Sequence, residues 1–291
     1  MLTTIRKVAL TGVLATLAGA QAWAVTPIAS CPFNISAPGN YVVTADLTCP
    51  AGIAINISAS NVTVNLNGHI ITGPAGINSI GIWVLPILPA LRLDHVGISG
   101  PGLIRGFNSG AISIFESDYV QVTQTTVANS SLAVGIVATN VKYLTMAGNV
   151  IAGNNAGLSL ALSTGAQVTG NQVVGNTGPG IVLGSGDSNV LTGNVVSGNS
   201  GSGIVLGSIS ANAPLTNSRV SSNTTNGNGI SGIQVVSPLF PGSFGNEIFS
   251  NTQSVGNTVL DLEEDNTVPP CGTDFWSSNV FFTKTLLACV N

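Results

Sequence analysis

The chain has 291 residues, with 7 Lys and Arg against 11 Asp and Glu and a formal net charge of -4. Only 6% of residues are charged, about a quarter of the usual share, so there is no basic patch to neutralise phosphates and a nucleic-acid partner is excluded. Hydrophobic residues reach 44% with 5% aromatic, and 36 glycines and 29 asparagines stand in place of the Ala/Glu/Lys/Leu composition of coiled coils and helical bundles.

The chain opens with Arg6 and Lys7, an uncharged stretch from Val8 to Ala20, and Ala22-Trp23-Ala24, which has the small-x-small form of a cleavage site. Residues 1–24 read as a secretory signal peptide, because the apolar stretch is shorter than the roughly 20 residues of a membrane span. Cleavage leaves 5 basic and 11 acidic residues, a formal charge of -6. The later apolar run 81–91 is broken by Pro86 and Pro89 and reads as a loop or strand. The mature protein is therefore expected to be secreted or periplasmic, without a membrane partner.

Four cysteines follow, Cys31 and Cys49 near one end and Cys271 and Cys289 near the other. An even count in an exported chain favours disulfides, and three connectivities are open. The local pairing, Cys31–Cys49 with Cys271–Cys289, is the most economical. A zinc site is a poor alternative, since there is no C-x-x-C and His69 and His95 lie far away in sequence.

The middle repeats itself. Met146-Ala-Gly-Asn-Val-Ile-Ala-Gly-Asn154, Val168-Thr-Gly-Asn-Gln-Val-Val-Gly-Asn176, Leu191-Thr-Gly-Asn-Val-Val-Ser-Gly-Asn199 and Leu215-Thr-Asn-Ser-Arg-Val-Ser-Ser-Asn223 align, each followed by a glycine-led apolar strand. Each unit holds about three short strands between Asn/Gly/Ser turns, with no good helical period. Such strands cannot bury a face alone. Wound into a solenoid, each pairs in parallel with its equivalent about 4.8 Å away. The alignment predicts that Asn154, Asn176, Asn199 and Asn223 stack at one corner. An all-β, single-domain right-handed parallel β-helix with disulfide-clamped ends is expected: an N-terminal cap over 25–60, repeats over 61–268 and a C-terminal cap over 269–291. Departures from the repeat at 74–93 and 237–242 are expected as loops.

Asn61-Val-Thr-Val-Asn-Leu-Asn-Gly-His-Ile-Ile-Thr-Gly73, Gly100-Pro-Gly-Leu-Ile-Arg-Gly-Phe107 and the Gly-Asn repeats resemble the right-handed parallel β-helix family that includes pectate-lyase-like proteins. The ends, Pro38-Gly-Asn-Tyr41 and Cys271-Gly-Thr-Asp-Phe-Trp276, are similar to those of exported bacterial β-helix proteins. The resemblance implies the fold and a polysaccharide as partner. It does not by itself name an activity.

Polysaccharide cleavage needs acids close together. Asp94, Asp118 and Asp187 each stand four residues before the first apolar position of a coil, and Asp94 and Asp118 fall on adjacent coils. With Arg92 they form the candidate catalytic cluster, and Glu116 and Arg105 are candidate binding residues nearby. The competing reading is that turn-forming aspartates align at a corner, because Lys142 and Thr164 hold the equivalent places on other coils. His69 is read as structural. Asp261, Glu263, Glu264 and Asp265 form the densest acidic run. It could hold calcium but is read as a solvated face. No cofactor or metal is indicated, and copper is disfavoured, since Met146 is the sole methionine after Met1 and the cysteines are committed. The expected function is carbohydrate binding or surface association by a monomer, with a polysaccharide lyase or hydrolase, or a structural spacer or adhesin, as alternatives. A binder should show exposed aromatics over an uncharged groove, an enzyme a groove lined by acids.

Overall fold

The computed structural model describes residues 24–50, 52–74, 78–87, 91–208, 213–236, 243–252, 255–264, 274–285 and 290. Residues 1–23 of the expected leader, and both Cys271 and Cys289, lie outside them. The described chain is a right-handed parallel β-helix. One coil shows how the sequence builds it. Val134–Lys142, Thr145–Ala147 and Val150–Ala152 are strands separated by two-residue turns. In each three-residue strand the central residue, Met146 or Ile151, points inward and is fully buried. Each strand pairs in parallel with its counterpart one coil on: Ala156–Thr164, Gln167–Thr169 and Gln172–Val174. Three faces result.

Because the registers repeat, inward residues form continuous columns. Val122, Met146, Val168, Leu191, Val220, Ile248 and Trp276 follow one another through six pairings, and all are buried. Each contributes about 1.5–3 kcal/mol of apolar burial, a gain no single coil could make alone.

The corners explain the asparagines. Each turn places one residue at positive φ, such as Gly148 or Gly153 (φ 65 each), and turns the next inward. There the side-chain amide replaces apolar packing. Asn149 donates from N and Nδ2 to Asn171 Oδ1 at 3.0 and 2.9 Å, and Nδ2 also reaches Val122 O at 2.8 Å. The same bonds link Asn171 to Asn194, Asn194 to Asn223, Asn223 to Asn251 and Asn251 to Asn279. A second ladder runs Asn154–Asn176–Asn199–Asn228–Asn257 and ends on Asp261. A third corner is apolar in the early coils, then runs Asn189–Ser218–Asn246 to Asp274.

This corrects one expectation. Asn223 does not stack with Asn154, Asn176 and Asn199; it belongs to the neighbouring corner, above Asn194. Leu191 pairs with Val220, not with Leu215. The reason is a pseudo-repeat inside the coil. At these corners a three-residue strand is followed by a turn pair, so a five-residue slip matches turn to turn. The longer connection before Leu215 supplies that slip.

The parallel pairing reaches back to Val25–Ile28, which pairs with Gly39–Val43, and on to Val62–Asn65. The strands Val25–Ile28, Phe33–Ile35 and Gly39–Val43 thus continue the coils. Cys31 and Cys49 form a disulfide with Cα atoms 5.4 Å apart. Within 74–93, Ser79–Val84 is a core strand paired on both sides rather than a loop, and 237–242 lies outside the described residues.

The acidic run is corrected at Asp261 and Glu264, while Asp265 lies outside the described residues. Asp261 and Glu264 are each 2% exposed, not solvated. Asp261 accepts from Asn257 Nδ2 at 2.8 Å and from the amides of Phe282 and Thr283 at 2.9 Å each. Burial pushes its carboxyl up, but those donors outweigh burial and hold it below the ordinary aspartate range. Glu264 accepts from Trp276 Nε1 at 3.1 Å, and Glu263 bonds Ser231 Oγ. These acids fasten the last coils.

Candidate functional site

Asp94, Asp118, Lys142, Thr164 and Asp187 form one column in consecutive register. Arg92 lies against it. Its Nε donates to both carboxylate oxygens of Asp118 at 3.0 Å, and Nη2 donates to Asp118 Oδ1 at 2.7 Å, Ser117 O at 2.9 Å and Asn140 O at 2.7 Å. One guanidinium therefore bridges to two further coils, and the Asp118 carboxylate is occupied by it. Asp94 Oδ2 meets His95 Nδ1 at 3.0 Å. Asp187 is held below the ordinary range by Ser188, Thr216 and Asn217, whose side chains donate to it at 2.6, 2.6 and 2.8 Å.

Thus Arg92, Asp94 and Asp118 come together, while the two binding candidates go elsewhere. Glu116 sits at a bend with φ 44. It lines a hollow of about 460 Å³ with Leu85, Pro86, Ile87, Phe115, Thr139, Asn140 and Leu162. Arg105 ends the strand Leu103–Arg105 on a different face, its Nε 3.3 Å from Thr72 Oγ1. His69 faces Asp46 at 3.2 Å, an exposed corner pair.

The residues that sequence reasoning missed stand one position further on. After Asp94, Asp118 and Lys142 come His95, Tyr119 and Tyr143, each at positive φ (55, 52 and 55). Their rings stack: His95 on Tyr119 at 5.0 Å and 15°, Tyr119 on Tyr143 at 4.8 Å and 19°. Both tyrosines are about half exposed. The signal was available, because the aspartate register already fixes the register of the next residue.

Beside this ladder runs an outward row of Asn40, Thr63, Gly97, Gln121, Thr145, Gln167 and Val190. A second row holds Asn65, Ser99, Thr123, Ala147, Thr169 and Thr192. Neither row carries a charge before Arg219, which pairs with Glu247 at 2.9 Å. Two hollows sit where ladder meets row. One, about 200 Å³, is lined by Thr63, His95, Val96, Gly97, Tyr119 and Gln121. The other, about 160 Å³, is lined by Tyr119, Gln121, Tyr143, Thr145, Gly165 and Gln167.

A family model described as periplasmic copper-binding protein (NosD) matches residues 103–280, more than half of the chain. The chain belongs to the NosD family. No curated protein sequence matches it. Among solved structures, this NosD-family chain is similar to the periplasmic alginate epimerase AlgG, at 14% identity and TM-score 0.57, over 87% of this chain and 77% of that one. It is similar to the A-module of the Azotobacter vinelandii mannuronan C-5 epimerase AlgE4, at 13% and 0.52, over 88% and 85%. It also matches the enzymatically active domain of bacteriophage CBA120 tailspike protein 2, at 14% and 0.50, over 88% and 42%. At these identities the likeness shows the fold.

The family description implies copper, which takes His, Cys and Met ligands. In this NosD-family chain Met146 is sealed in the core, and Cys31 and Cys49 are bonded to each other. His69 and His95 each face an aspartate, at different corners. Among the described residues no three His, Cys, Asp or Glu side chains converge. The described residues do not fit a copper site.

Proposed function

We propose that the chain is an exported periplasmic β-helix that binds a polysaccharide along the face beside Tyr119 and Tyr143. One observation carries this reading: a half-exposed stacked aromatic ladder borders an uncharged strip of amides and hydroxyls with two shallow hollows. Uncharged amides and hydroxyls hydrogen-bond sugar hydroxyls in either direction, and tyrosines combine an apolar body with a polar tip. The neighbouring folds support it, since two are named as alginate or mannuronan epimerases. The family description supports a periplasmic location, and residues 1–24 would supply the export signal.

The test is a polysaccharide array with the purified mature protein, followed by product analysis. Tyr119→Ala with Tyr143→Ala should abolish binding without unfolding the chain. Binding to nothing, or binding indifferent to that double variant, would overturn the reading. A second reading, a lyase or hydrolase, is favoured by the register of Asp94 with Asp118 on the ladder's other flank. It requires product release that Asp118→Asn abolishes.

A further inference from the structure

Resting on that reading, we infer that the ligand is a neutral polysaccharide, seated with alternate sugars in the two hollows that Gly97 and Gly165 open on either side of Tyr119.

The charge distribution selects the ligand class. No ionic side chain stands in either outward row from Asn40 to Thr192. Arg92 is committed to Asp118 and His95 faces Asp94, which leaves Lys142, on the ladder's other flank, as the exposed cation nearest the ladder. The chain as a whole is acidic, with a formal charge of -4. A polyanion lying along the two rows would meet the field of an acidic chain and find no cation within the rows to offset it, Lys142 standing on the other flank of the ladder. A neutral glycan asks only for donors and acceptors, and Thr63, Gln121, Thr145 and Gln167 provide both.

The glycines shape the hollows. Row neighbours Thr63 and Gln121 carry side chains, whereas Gly97 between them does not. A Cβ built on Gly97 would meet only Thr63 Cγ2, at 3.6 Å. The notch is therefore not required by packing. On the corner, the aromatic column stops at Gly165, whose added Cβ would come 3.1 Å from Tyr143 Cδ1. The two hollows share Tyr119 and Gln121. Their centres lie two strands apart, roughly 10 Å, which places alternate sugars of an extended chain in successive hollows along the solenoid axis.

Gly97 is the clean probe, since its backbone does not need positive φ and its surroundings are open. Gly97→Gln fills the notch with the side chain already present at Gln121. The experiment is titration calorimetry with neutral glucan and mannan oligosaccharides and, in parallel, alginate oligomers, at about 50 and 300 mM salt. Expected is binding of a neutral oligosaccharide that changes less than about twofold between the two salts, because no ion pair is there to be screened. Gly97→Gln should weaken it about tenfold or more while the melting temperature holds. Lys142→Ala, which removes the exposed cation on the ladder's other flank, should leave it unchanged. Preference for alginate with steep salt dependence, lost in Lys142→Ala, would overturn the ligand class while leaving polysaccharide binding intact. Neutral binding that Gly97→Gln does not touch would overturn the placement in the hollows. Failure of both classes to bind would overturn the polysaccharide reading and this inference together.

Discussion

Replacing Asn176 by alanine should be among the most damaging single changes in the solenoid. Asn176 is 1% exposed. Its Oδ1 accepts from Asn154 N at 3.0 Å and Asn154 Nδ2 at 3.2 Å. Its Nδ2 donates to Ile151 O at 3.3 Å and Asn199 Oδ1 at 2.8 Å. Alanine removes all four bonds. Asn154 Nδ2 keeps Val127 O, but the buried Asn154 N–H loses its acceptor. An orphaned buried donor costs about 1–3 kcal/mol and each of the three remaining lost bonds about 0.5–1.5, together about 2.5–7.5 kcal/mol. Domain stabilities are commonly about 5–15 kcal/mol, so the loss would be visible in urea titration. Because solenoids open locally, amide exchange should show it first at Asn154. The exposed neighbour gives the control: Asn155→Ala should stay within about 0.5 kcal/mol. Equal losses at Asn155 and Asn176 would refute the ladder as a source of stability.

Gly180→Ala should destabilise by about 1–3 kcal/mol or more, since its Cβ would lie 2.4 Å from Val196 Cγ1 and 2.6 Å from Gly203 O; Gly97→Ala should be close to neutral in the same thermal melt. Arg92→Lys should cost about 1–3 kcal/mol, because an ammonium cannot reproduce the forked contact to Asp118; a variant as stable as the parent would remove the cross-coil staple. Burial raises the Asp274 carboxyl above its ordinary value, against the two donors of Asn246. A folded pKa above the unfolded one means stability is lost as pH rises through that window. Asp274→Asn should therefore gain on the parent as pH rises above the ordinary aspartate range, and parallel stability–pH curves would contradict this.

The fold was legible because repeat spacing and turn chemistry coincide: Gly148-Asn149 and Gly153-Asn154 announce corners directly. The column Asp94–Asp118–Lys142–Thr164–Asp187 was readable for the same reason. Frame assignment failed at Leu215–Asn223, where similar corners made a five-residue slip invisible until strand pairing fixed which corner was which. Burial of Asp261 and Glu264 was hidden because composition cannot tell a solvated carboxylate from one ringed by Asn257, Thr283 and Trp276. The aromatic ladder was missed for a simpler reason. Tyr119 and Tyr143 are only two residues of ordinary composition, and their meaning arises from lying one coil apart.

The ladders have a direction. In the two long ladders the carboxamides from Asn149 to Asn251 and from Asn154 to Asn228 give an N–H of the NH2 to the next rung toward the C-terminal end, so the amide dipoles add head to tail. Each ladder thus ends in a partial positive pole, as a helix does at its N-terminus. Two of the three poles meet carboxylates, Asp261 and Asp274. These acids act as terminators, since a carboxylate accepts from the rung before it and offers no side-chain N–H to a rung after it. A coil of 22 or 23 residues duplicated between Asn149 and Asn199 would find an acceptor above and a donor below at each amide corner. The same coil added beyond Asp274 would find no side-chain donor below it. Growth in length is open in the interior and closed at the end.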